Sequence, residues 1–366
     1  MDSSDVRKRL GVSALNVMSV LAHPGFGAVE TYRVTLPLSR AVAGDPELTG
    51  EWCQMKDLAI AIQQQGFKCI EDIDLFVLNR AVAFAHEAGL AKDLVDALRV
   101  HGAKVVYELD DDYTGKHRVT PSGRSCLPYI AEVDAITVST PGLAKAVQSA
   151  APRVPVHVLP NYLPVELFAS QSEKTKRTDP RLSIYVAGSN AHFLDWQVLE
   201  DVIPNLHRDF PDVRFTVAGC QPYYLDHDYI AFRDAVPFQE YPSMLADADI
   251  IVSPVDPTDK FNYSKSAVKA LEAWAARRPV GKHVGGAAFI GSAGKVYNST
   301  VNNRHNGLLV RHSPYYFEAG LRKLIQDQHL RHRLQIEGHK DVQAHDIALH
   351  WHKWSKAYRD VLAQGG

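Results

Sequence analysis

Cysteine is scarce in this chain of 366 residues, which has only Cys53, Cys69, Cys126 and Cys220. Their spacing matches no CxxC motif, so we expect reduced thiols in a cytoplasmic protein, without a disulfide framework or a zinc site. Long apolar runs are also missing, and none approaches the roughly 20 residues that cross a bilayer. The segment from Met1 to Arg9 is charged and lacks the apolar core of a signal peptide.

An excess of one charge is absent too. The chain has 40 lysines and arginines against 42 aspartates and glutamates, which gives a net charge of −2. No overall basic field therefore exists to hold nucleic acid or a membrane surface. The apolar share of 46% is ordinary for a globular protein with a sizeable core. The length predicts two domains of roughly 100–200 residues each.

Short apolar runs alternate with helical patterns, as is typical of α/β units with parallel sheets. We predict strands near residues 15–22, 74–79, 104–109, 135–139, 156–160, 182–187, 213–218 and 250–253. We predict helices at residues 30–43, 85–101, 141–150, 196–210 and 242–247, and over most of 315–363. The polar segment 171–180 has almost no apolar residues and predicts a linker between two similar halves.

The most informative segment runs from Asn262 to Val280 and is preceded by an apolar strand. Lys265, with Ser264 and Ser266 beside it, is predicted where a loop becomes a helix. The free N–H groups and partial positive charge of a helix start suit a phosphate. Lys265, Lys269 and Glu272 are spaced to share one helix face. The alternative is a solvated helix with an internal Lys269–Glu272 pair.

This segment resembles the nucleotide-sugar signature of retaining glycosyltransferases with the GT-B fold, the group 1 or family 4-like enzymes of bacterial polysaccharide clusters and bacteriophages. The shared pattern is Lys-Ser-x-x-Lys-x-x-Glu, a helix of small residues and then Pro-Val, here Lys265 to Val280. In that family the helix glutamate binds the donor ribose, which implies this role for Glu272. The fuller signature has two glutamates, and Ser264 stands at the first position.

Other segments resemble the same family more loosely. Residues 182–192 are similar to the first strand and loop of its donor domain, and Asn306–Val310 to a late strand of that domain. Residues 25–33 resemble its glycine-rich acceptor-side loop, and Arg80 ends a predicted strand at the edge where ligands bind. The acceptor side is therefore expected to include Gly25, Gly27, Glu30, Tyr32, Arg33 and Arg80.

The resemblance implies a fold as well. We expect an α/β protein with two Rossmann-like domains facing a cleft, and a C-terminal helix returning to the first domain. The expected boundaries are residues 1–170 for the acceptor-side domain, 171–180 for the linker, 181–345 for the nucleotide-sugar domain and 346–366 for the returning helix. Trp351, Trp354 and Tyr358 are spaced to form the packing stripe of that helix.

Three consecutive carboxylates, Asp110 to Asp112, follow the strand predicted at 104–109. They can hold Mg²⁺ or Mn²⁺, which prefer oxygen ligands. One can instead act as a general base whose pKa is raised by its neighbours. They can also simply cap the next turn. Similar acidic strand ends occur in GT-B relatives, and the triplet also mimics the metal motif of GT-A transferases.

The resulting hypothesis is transfer of a sugar from a UDP- or GDP-sugar to an acceptor hydroxyl, with retention and without a required metal. The expected catalytic residues are Asp110, Asp112 and Lys265. The expected donor-binding residues are Gly188, Ser189, Asn190, Ser264, Lys265, Ser266, Lys269 and Glu272. The acceptor stays open between a glycan, a lipid-linked sugar and a hydroxymethylated DNA base. Three alternatives stay open: a GT-A-like, metal-dependent transferase, a sugar-nucleotide epimerase, and a binding protein without catalysis.

Overall fold

The computed structural model describes residues 14–22, 27–82, 91–114, 127–174 and 179–364. The chain divides into two compact units. The first consists of Met1–Asn161 and Ile347–Gly366, and the second of Tyr162–Asp346. None of the helices in the described ranges combines the length and the apolar character that a membrane crossing requires.

Parallel strands form the six-stranded sheet described in the first unit, in the order β2-β1-β3-β4-β5-β6. Their bounds are β1 Leu15–Leu21, β2 Leu48–Gln54, β3 Leu75–Asn79, β4 Lys104–Leu109, β5 Ala135–Val138 and β6 Val156–Val158. Strands β3 and β5 are buried along their whole length. Helices cover both faces of such a sheet, so its central strands are nearly continuous apolar runs.

The helices of this unit up to its sixth strand are α1 Ala28–Glu30, α2 Leu36–Gly44, α3 Met55–Gln65, α4 Ala91–Leu98, α5 Leu127–Glu132 and α6 Pro141–Ala150. A π-helical turn, Thr31–Thr35, joins α1 to α2, and a 3-10 turn, Gly66–Ile70, follows α3. Helix α6 begins where its sequence predicts, because the Thr140 hydroxyl accepts a hydrogen bond from the Leu143 N–H and a proline follows Thr140.

The second unit contains another six-stranded parallel sheet, in the order β14-β13-β10-β7-β8-β9. The strands of this unit are β7 Ser183–Gly188, β8 Arg214–Gly219, β9 Ile230–Asp234, β10 Ile250–Ser253, β11 Arg278–Val280, β12 His283–Gly285, β13 Ala288–Ser292 and β14 Leu308–Val310. Strands β11 and β12 form a separate antiparallel pair. From β7 the chain winds outward to β9 on one side, then returns to β10 on the other. The strand order therefore reverses between β7 and β10.

The helices of the second unit are α7 Val165–Lys174, α8 Phe193–Trp196, α9 Val202–Asp209, α10 Tyr241–Leu245, α11 Val268–Ala275, α12 Pro314–Gln326 and α13 Gln328–Val342. Its 3-10 turns are Asn190–His192, Gln197–Leu199, Tyr223–Leu225, Lys260–Ser264 and Gln343–His345. Helix α11 is anchored by Trp274, which is fully buried. A Cβ built on Gly338 of α13 would lie 2.3 Å from the Trp274 ring, so α11 and α13 pack closely at this glycine.

The C-terminal helix α14, His352–Ala363, belongs to the first unit, as the GT-B resemblance predicted. Trp354 and Tyr358 are buried, and the Trp351 ring lies so close to Gly44 that a Cβ there would be 2.4 Å away. The guanidinium of Arg359 also pairs with Asp45, with Nη1 2.6 Å from Oδ2. Both contacts fix α14 against the end of α2.

Several bounds differ from the sequence predictions. The helix predicted at 196–210 is divided into α8, a 3-10 turn and α9. Strands β2, β9, β12 and β13 were not predicted. Of the predicted linker 171–180, the first four residues lie in α7, where Gln171 Oε1 accepts a hydrogen bond from the Ser243 hydroxyl of the same unit.

Candidate functional site

The crevice between the carboxyl ends of β7 and β10 is the place where a doubly wound sheet binds ligands, because the strand order reverses there. Asp195 joins the two loops that line it. Its Oδ1 accepts hydrogen bonds from the Asp256 N–H and from Asn262 Nδ2, both at 2.8 Å. Asp195 is in the segment after β7, whereas Asp256 and Asn262 follow β10. A single buried carboxylate therefore fixes the shape of the crevice.

The electrostatic state of this carboxylate follows from its neighbours. Burial raises the pKa of Asp195. Hydrogen bonds from His192 and the Asp256 N–H lower it by more, so the net pKa is below the ordinary value. His192 Nδ1 lies 3.2 Å from Asp195 Oδ2. Burial lowers the pKa of His192, and the charges of Lys265 and Lys269 lower it further, against the effect of Asp195. The pair is therefore an ionised aspartate and a neutral histidine near pH 7.

Gly188, Ser189 and Asn190 lie at the carboxyl end of β7, as predicted for donor-binding residues. The Gly188 backbone is closely covered, because a Cβ there would be 3.0 Å from the Trp196 ring and 3.1 Å from the His192 ring. Gly219 at the end of β8 has φ +98°, and a Cβ there would be 2.2 Å from the Gly188 carbonyl oxygen. Both glycines thus serve close packing, while Ser189 and Asn190 are exposed.

The structure places Lys265 and Ser266 before helix α11, which begins at Val268. The predicted helix start at Lys265 is therefore wrong. Lys265 has an extended backbone, and Ser264, which is buried, ends the preceding 3-10 turn. No side chain caps the first turn of α11, and the Ala270 N–H bonds the Ala267 carbonyl, so the N–H groups before Ala270 are the ones that suit an anion. The Lys265 ammonium lies 5.0 Å from the centre of the Phe261 ring.

Lys269 and Glu272 do share one face of α11, and they form the internal pair that the alternative interpretation described, at 2.9 Å. The pair is not solvated, because the Glu272 side chain is only 2% exposed. Tyr241 completes a triangle. Its hydroxyl donates to Glu272 Oε2 at 2.9 Å and accepts from Lys269 Nζ at 3.0 Å. Burial disfavours a charge on Lys269, but Glu272 and Tyr241 raise its pKa overall, so the ammonium is retained.

Sequence reasoning missed the residues that support the loop after β10. The Ser253 and Tyr297 hydroxyls lie 2.7 Å apart. The Ser292 hydroxyl accepts from the Val255 N–H at 2.9 Å and lies 3.0 Å from His312 Nδ1. Tyr241 was missed as well. Serine and tyrosine are common everywhere, and only the fold shows that these belong together.

In the first unit, the predicted acceptor-side residues from Gly27 to Arg33 lie in and around α1 and in the π-helical turn, whereas Arg80 follows β3. Gly25 lies outside the described residues. The Glu30 carboxylate folds over Gly27, since a Cβ on Gly27 would be 2.3 Å from Oε2. Tyr32 is buried, and so is Arg33, which is only 1% exposed. Arg33 Nε pairs with Glu108 Oε1 at 2.6 Å, and Nη1 donates to Asn161 Oδ1 at 2.9 Å. These internal partners occupy Nε and Nη1 of the Arg33 guanidinium, whereas Nη2 is buried without a hydrogen-bond partner.

The aspartates after β4 are divided between two partners. Arg80 Nη1 lies 2.6 Å from Asp110 and 2.7 Å from Asp111. Asp112 Oδ1 accepts from the Thr114 N–H and hydroxyl, the turn-capping arrangement. Burial raises the pKa of Asp110 to about 7, although Arg80 opposes the shift. In the part of the chain that the structure describes, no group of three or more His, Cys, Asp or Glu can hold a metal ion.

No protein-family profile and no curated protein sequence matches the chain. Several solved structures resemble it. HepE from Anabaena, in complex with UDP and glucose, matches with a TM-score of 0.67 and 10% identity over 94% of this chain and 100% of HepE. Sucrose-phosphate synthase from Thermosynechococcus elongatus matches at 0.63 and 13% identity, over 96% and 100% of the two chains. A glycosyltransferase from Rickettsia africae matches at 0.62 and 13%, over 95% and 99%.

These likenesses extend over nearly the whole of each chain, and they establish the fold. The protein has the GT-B fold, an α/β architecture with two parallel six-stranded sheets. The prediction of this fold from residues 182–192, 265–280 and 306–310 is confirmed. At identities near 10% the roles of individual residues do not carry over, so the site residues stay predictions.

Proposed function

We propose that this protein is a glycosyltransferase that moves a sugar from a nucleotide-diphosphate sugar to an acceptor hydroxyl. One observation carries the proposal. Lys265 lies beside the uncapped first turn of α11, and no carboxylate pairs with it among the described residues. Lys269, four residues on, is paired with Glu272. A cation without an ion pair, next to free N–H groups at the switch point of a doubly wound sheet, suits a diphosphate.

In the proposed complex, the diphosphate binds at Lys265, at the Ser264 and Ser266 positions and at the first turn of α11. Glu272 binds the ribose, as the resemblance implies. HepE was solved with UDP, so we propose UDP as the first nucleotide to test. The divalent metal is proposed to be dispensable, because Lys265 and the helix start can balance the diphosphate charge themselves.

The proposed chemistry breaks the bond between the anomeric carbon and the donor diphosphate oxygen, and the diphosphate leaves with the electron pair. The acceptor hydroxyl oxygen forms the new bond to the anomeric carbon on the same face, which retains the configuration. The hydroxyl proton passes to the departing diphosphate or to a carboxylate, for which Asp110 is the candidate because its raised pKa suits a base. Most of the rate enhancement then comes from positioning and from charge stabilisation of the leaving group.

Thermal-shift titrations with UDP, GDP, ADP and CMP, with and without Mg²⁺, test the donor class. A nucleotide that binds only the folded protein raises its melting temperature at saturating concentration. We expect a shift with one diphosphate in the absence of metal. A shift that requires Mg²⁺ would contradict the metal-free site, and the absence of any shift would contradict nucleotide binding altogether.

Replacement of Lys265 by alanine tests the catalytic part of the proposal. We expect Lys265→Ala to lower nucleotide-sugar turnover by roughly 10²- to 10³-fold, the usual effect of removing one group that stabilises developing charge. The melting temperature should not change, because this side chain lies outside the helix and has no ion pair. Lys260→Ala, an exposed lysine in the preceding turn, is the matched control. Wild-type turnover by Lys265→Ala would overturn the proposal.

A second candidate is a nucleotide-sugar-binding protein without catalysis. Ser264 favours it, because a buried serine stands where the family signature has its first glutamate. The same assays separate the candidates, since a binding protein gives the thermal shift without release of nucleotide diphosphate or free sugar. Release of a changed nucleotide sugar without an acceptor would instead indicate the epimerase.

A further inference from the structure

A second cavity in the nucleotide-sugar unit lies along the outer edge of its sheet, beside the edge strand β14. It has a volume of about 590 Å³ and is bounded by β14, the turn before it, α12 and α13. Its floor is apolar and includes Leu308 and Leu330, both buried. The crevice between β7 and β10 lies elsewhere on the sheet, with β13 between β10 and β14. The cavity and the candidate donor site therefore share no residue.

The charges around this cavity are strongly one-sided. Four exposed cations border it: Arg304, Arg311, Lys323 and Arg333. Its one acidic neighbour, Asp327, begins helix α13, where its Oδ1 accepts a hydrogen bond from the Leu330 N–H. No carboxylate lies within ion-pair distance of the four cations in the described ranges. Arg311 is held over the Tyr316 ring at 5.4 Å.

Arginines elsewhere in this unit are mostly neutralised. Arg278 pairs with Asp249 at 2.7 Å, Arg214 with Asp247 at 3.1 Å, and Arg322 with Glu318 at 2.8 Å. In a chain with a net charge of −2, four cations without a carboxylate partner around one concave surface produce a local positive potential. Such a concentration of charge attracts anions of matching size.

The backbone of Arg304 adds an independent observation. Arg304 is the one non-glycine residue in the described ranges with a left-handed φ, at 65°. Glycine or asparagine adopts this conformation more easily, and here the Arg304 N–H donates to the Gly307 carbonyl at 2.7 Å to close the turn. Strain at a non-glycine position is a recognised mark of function. The turn keeps an arginine where an asparagine would be the more stable choice.

We propose that this cavity binds a small molecule that carries two or more phosphate groups. Its volume is that of a small-ligand site. Guanidinium groups form paired hydrogen bonds with phosphate oxygens, and the apolar floor can hold the organic part of the ligand. The concave shape favours a compact ligand over a polymer backbone. The site is separate from the donor crevice, so the proposal does not depend on the proposed glycosyl transfer.

Calorimetric titration of the full chain with inorganic tripolyphosphate tests this proposal. The test variants are Arg304→Asn, which keeps the left-handed turn, and the double variant Arg304→Asn with Lys323→Gln. The matched control is Lys282→Gln, an exposed lysine in the turn between β11 and β12. We expect saturable binding that weakens by roughly 3- to 10-fold for each cation removed, no change in the control, and unchanged or higher thermal stability of Arg304→Asn.

Lys265→Ala distinguishes the two anion sites within the same experiment. Tripolyphosphate binding that is lost in Lys265→Ala and unchanged in the Arg304 variants would place the anion in the donor crevice and overturn the proposal. Absence of binding would overturn it as well. Parallel titrations use oligothymidylate and phosphatidylglycerol vesicles. If tripolyphosphate does not bind, and oligothymidylate or the vesicles bind in a way that depends on Arg304, the proposal of a small ligand is overturned. The partner would then be a nucleic acid or an anionic membrane.

Discussion

The two six-stranded sheets differ at the edge where their strands end, although both are parallel and doubly wound. In the first unit, the charges at this edge neutralise one another. Arg33 pairs with Glu108 and Arg80 with two aspartates. In the second unit, Lys269 is paired, but Lys265 beside it has no carboxylate partner in the described ranges. Both arginines at the first edge thus have carboxylate partners, whereas Lys265 at the second has no ion pair in the described ranges. We call the first edge closed and the second open.

This difference teaches which polar groups maintain the fold and which are available for a ligand. A buried ion pair without solvent contact cannot exchange its partner for a phosphate unless the desolvation penalty is offset. A half-buried lysine without an ion pair, next to a helix start that no side chain caps, can bind a phosphate. The same class of fold thus contains both a closed and an open edge, and substitution can convert one behaviour into the other.

The largest expected effect is on the closed edge. Arg33→Met leaves Glu108 buried and unpaired, so we expect the first unit to lose about 3–5 kcal/mol of stability. Hydrogen exchange of the β4 amides under increasing urea measures this loss. Nucleotide binding by the second unit should be unchanged, because its residues are untouched.

Two variants sharpen the result for Arg33. Arg33→Met combined with Glu108→Leu removes both charges and should recover most of the loss. Lys92→Met breaks the exposed Lys92–Asp96 pair and should leave exchange unchanged, because exposed pairs contribute little. If Arg33→Met alone has wild-type protection, Arg33 is not structural and its assignment to the acceptor gains support.

A second prediction concerns Asp110 in the first unit and His192 in the second, whose contributions to the pH dependence of stability should have opposite signs. Burial raises the pKa of Asp110, although Arg80 opposes the shift, so folding retains a proton that the unfolded chain loses above its ordinary pKa of 3.8. Asp110 therefore makes the first unit lose stability as pH rises towards 7, while His157 of that unit, whose pKa burial lowers, acts in the opposite sense. Burial and two lysines lower the pKa of His192 below its ordinary 6.5, against Asp195. The second unit then loses stability as pH falls below 6.5.

Exchange of β4 and β7 amides between pH 5 and pH 7, corrected for intrinsic rates, measures both slopes. Each group contributes at most about 1.4 kcal/mol per pH unit. Asp110→Asn should remove the contribution of Asp110 to the slope of the first unit. His192→Gln should remove only part of the slope of the second unit, because burial also lowers the pKa of His312 in that unit. His305→Gln, at an exposed position, is the control. A wild-type slope of the first unit in Asp110→Asn, or of the second unit in His192→Gln, would contradict the assignment.

The fold could be predicted from the sequence because its strands are local patterns. Apolar runs such as 104–109 and 250–253 need only their own residues to be recognised, and the structure places strands at both. Strand β2, Leu48–Gln54, was missed because it is a half-exposed edge strand that contains Gly50 and Glu51. Its strand state depends on pairing with β1, which no local pattern records.

The candidate site was predictable only in part. Lys269 and Glu272 are neighbours on one helix, so their spacing is sufficient to pair them. Tyr241 lies 31 positions before Glu272, and Asp195 contacts Asn262 across 67 positions. The sheet brings both pairs together. The role of Arg33 could not be predicted either. A guanidinium beside a glycine loop can bind a ligand or form a buried ion pair, and only the position of Glu108 in the fold distinguishes the two.

The last prediction tests whether the Lys269–Glu272 pair of the second unit contributes to nucleotide binding. Tyr241→Phe removes the hydroxyl that holds Glu272 Oε2 at 2.9 Å, so under the proposed ribose contact this carboxylate loses its orientation. We expect UDP to bind about tenfold more weakly, the effect of one lost hydrogen bond to a charged group. Binding of 2′-deoxy-UDP should change much less, because it lacks one hydroxyl that Glu272 would contact.

The ratio of the two affinities is the decisive quantity, because a purely structural tyrosine would affect both nucleotides equally. Tyr223→Phe, at an exposed position, controls for the loss of a hydroxyl and should leave both affinities unchanged. If Tyr241→Phe weakens UDP and 2′-deoxy-UDP by the same factor, the triangle of Tyr241, Lys269 and Glu272 belongs with Arg33 and Glu108 as a closed network. Lys265 and the first turn of α11 would then be the whole of the open edge.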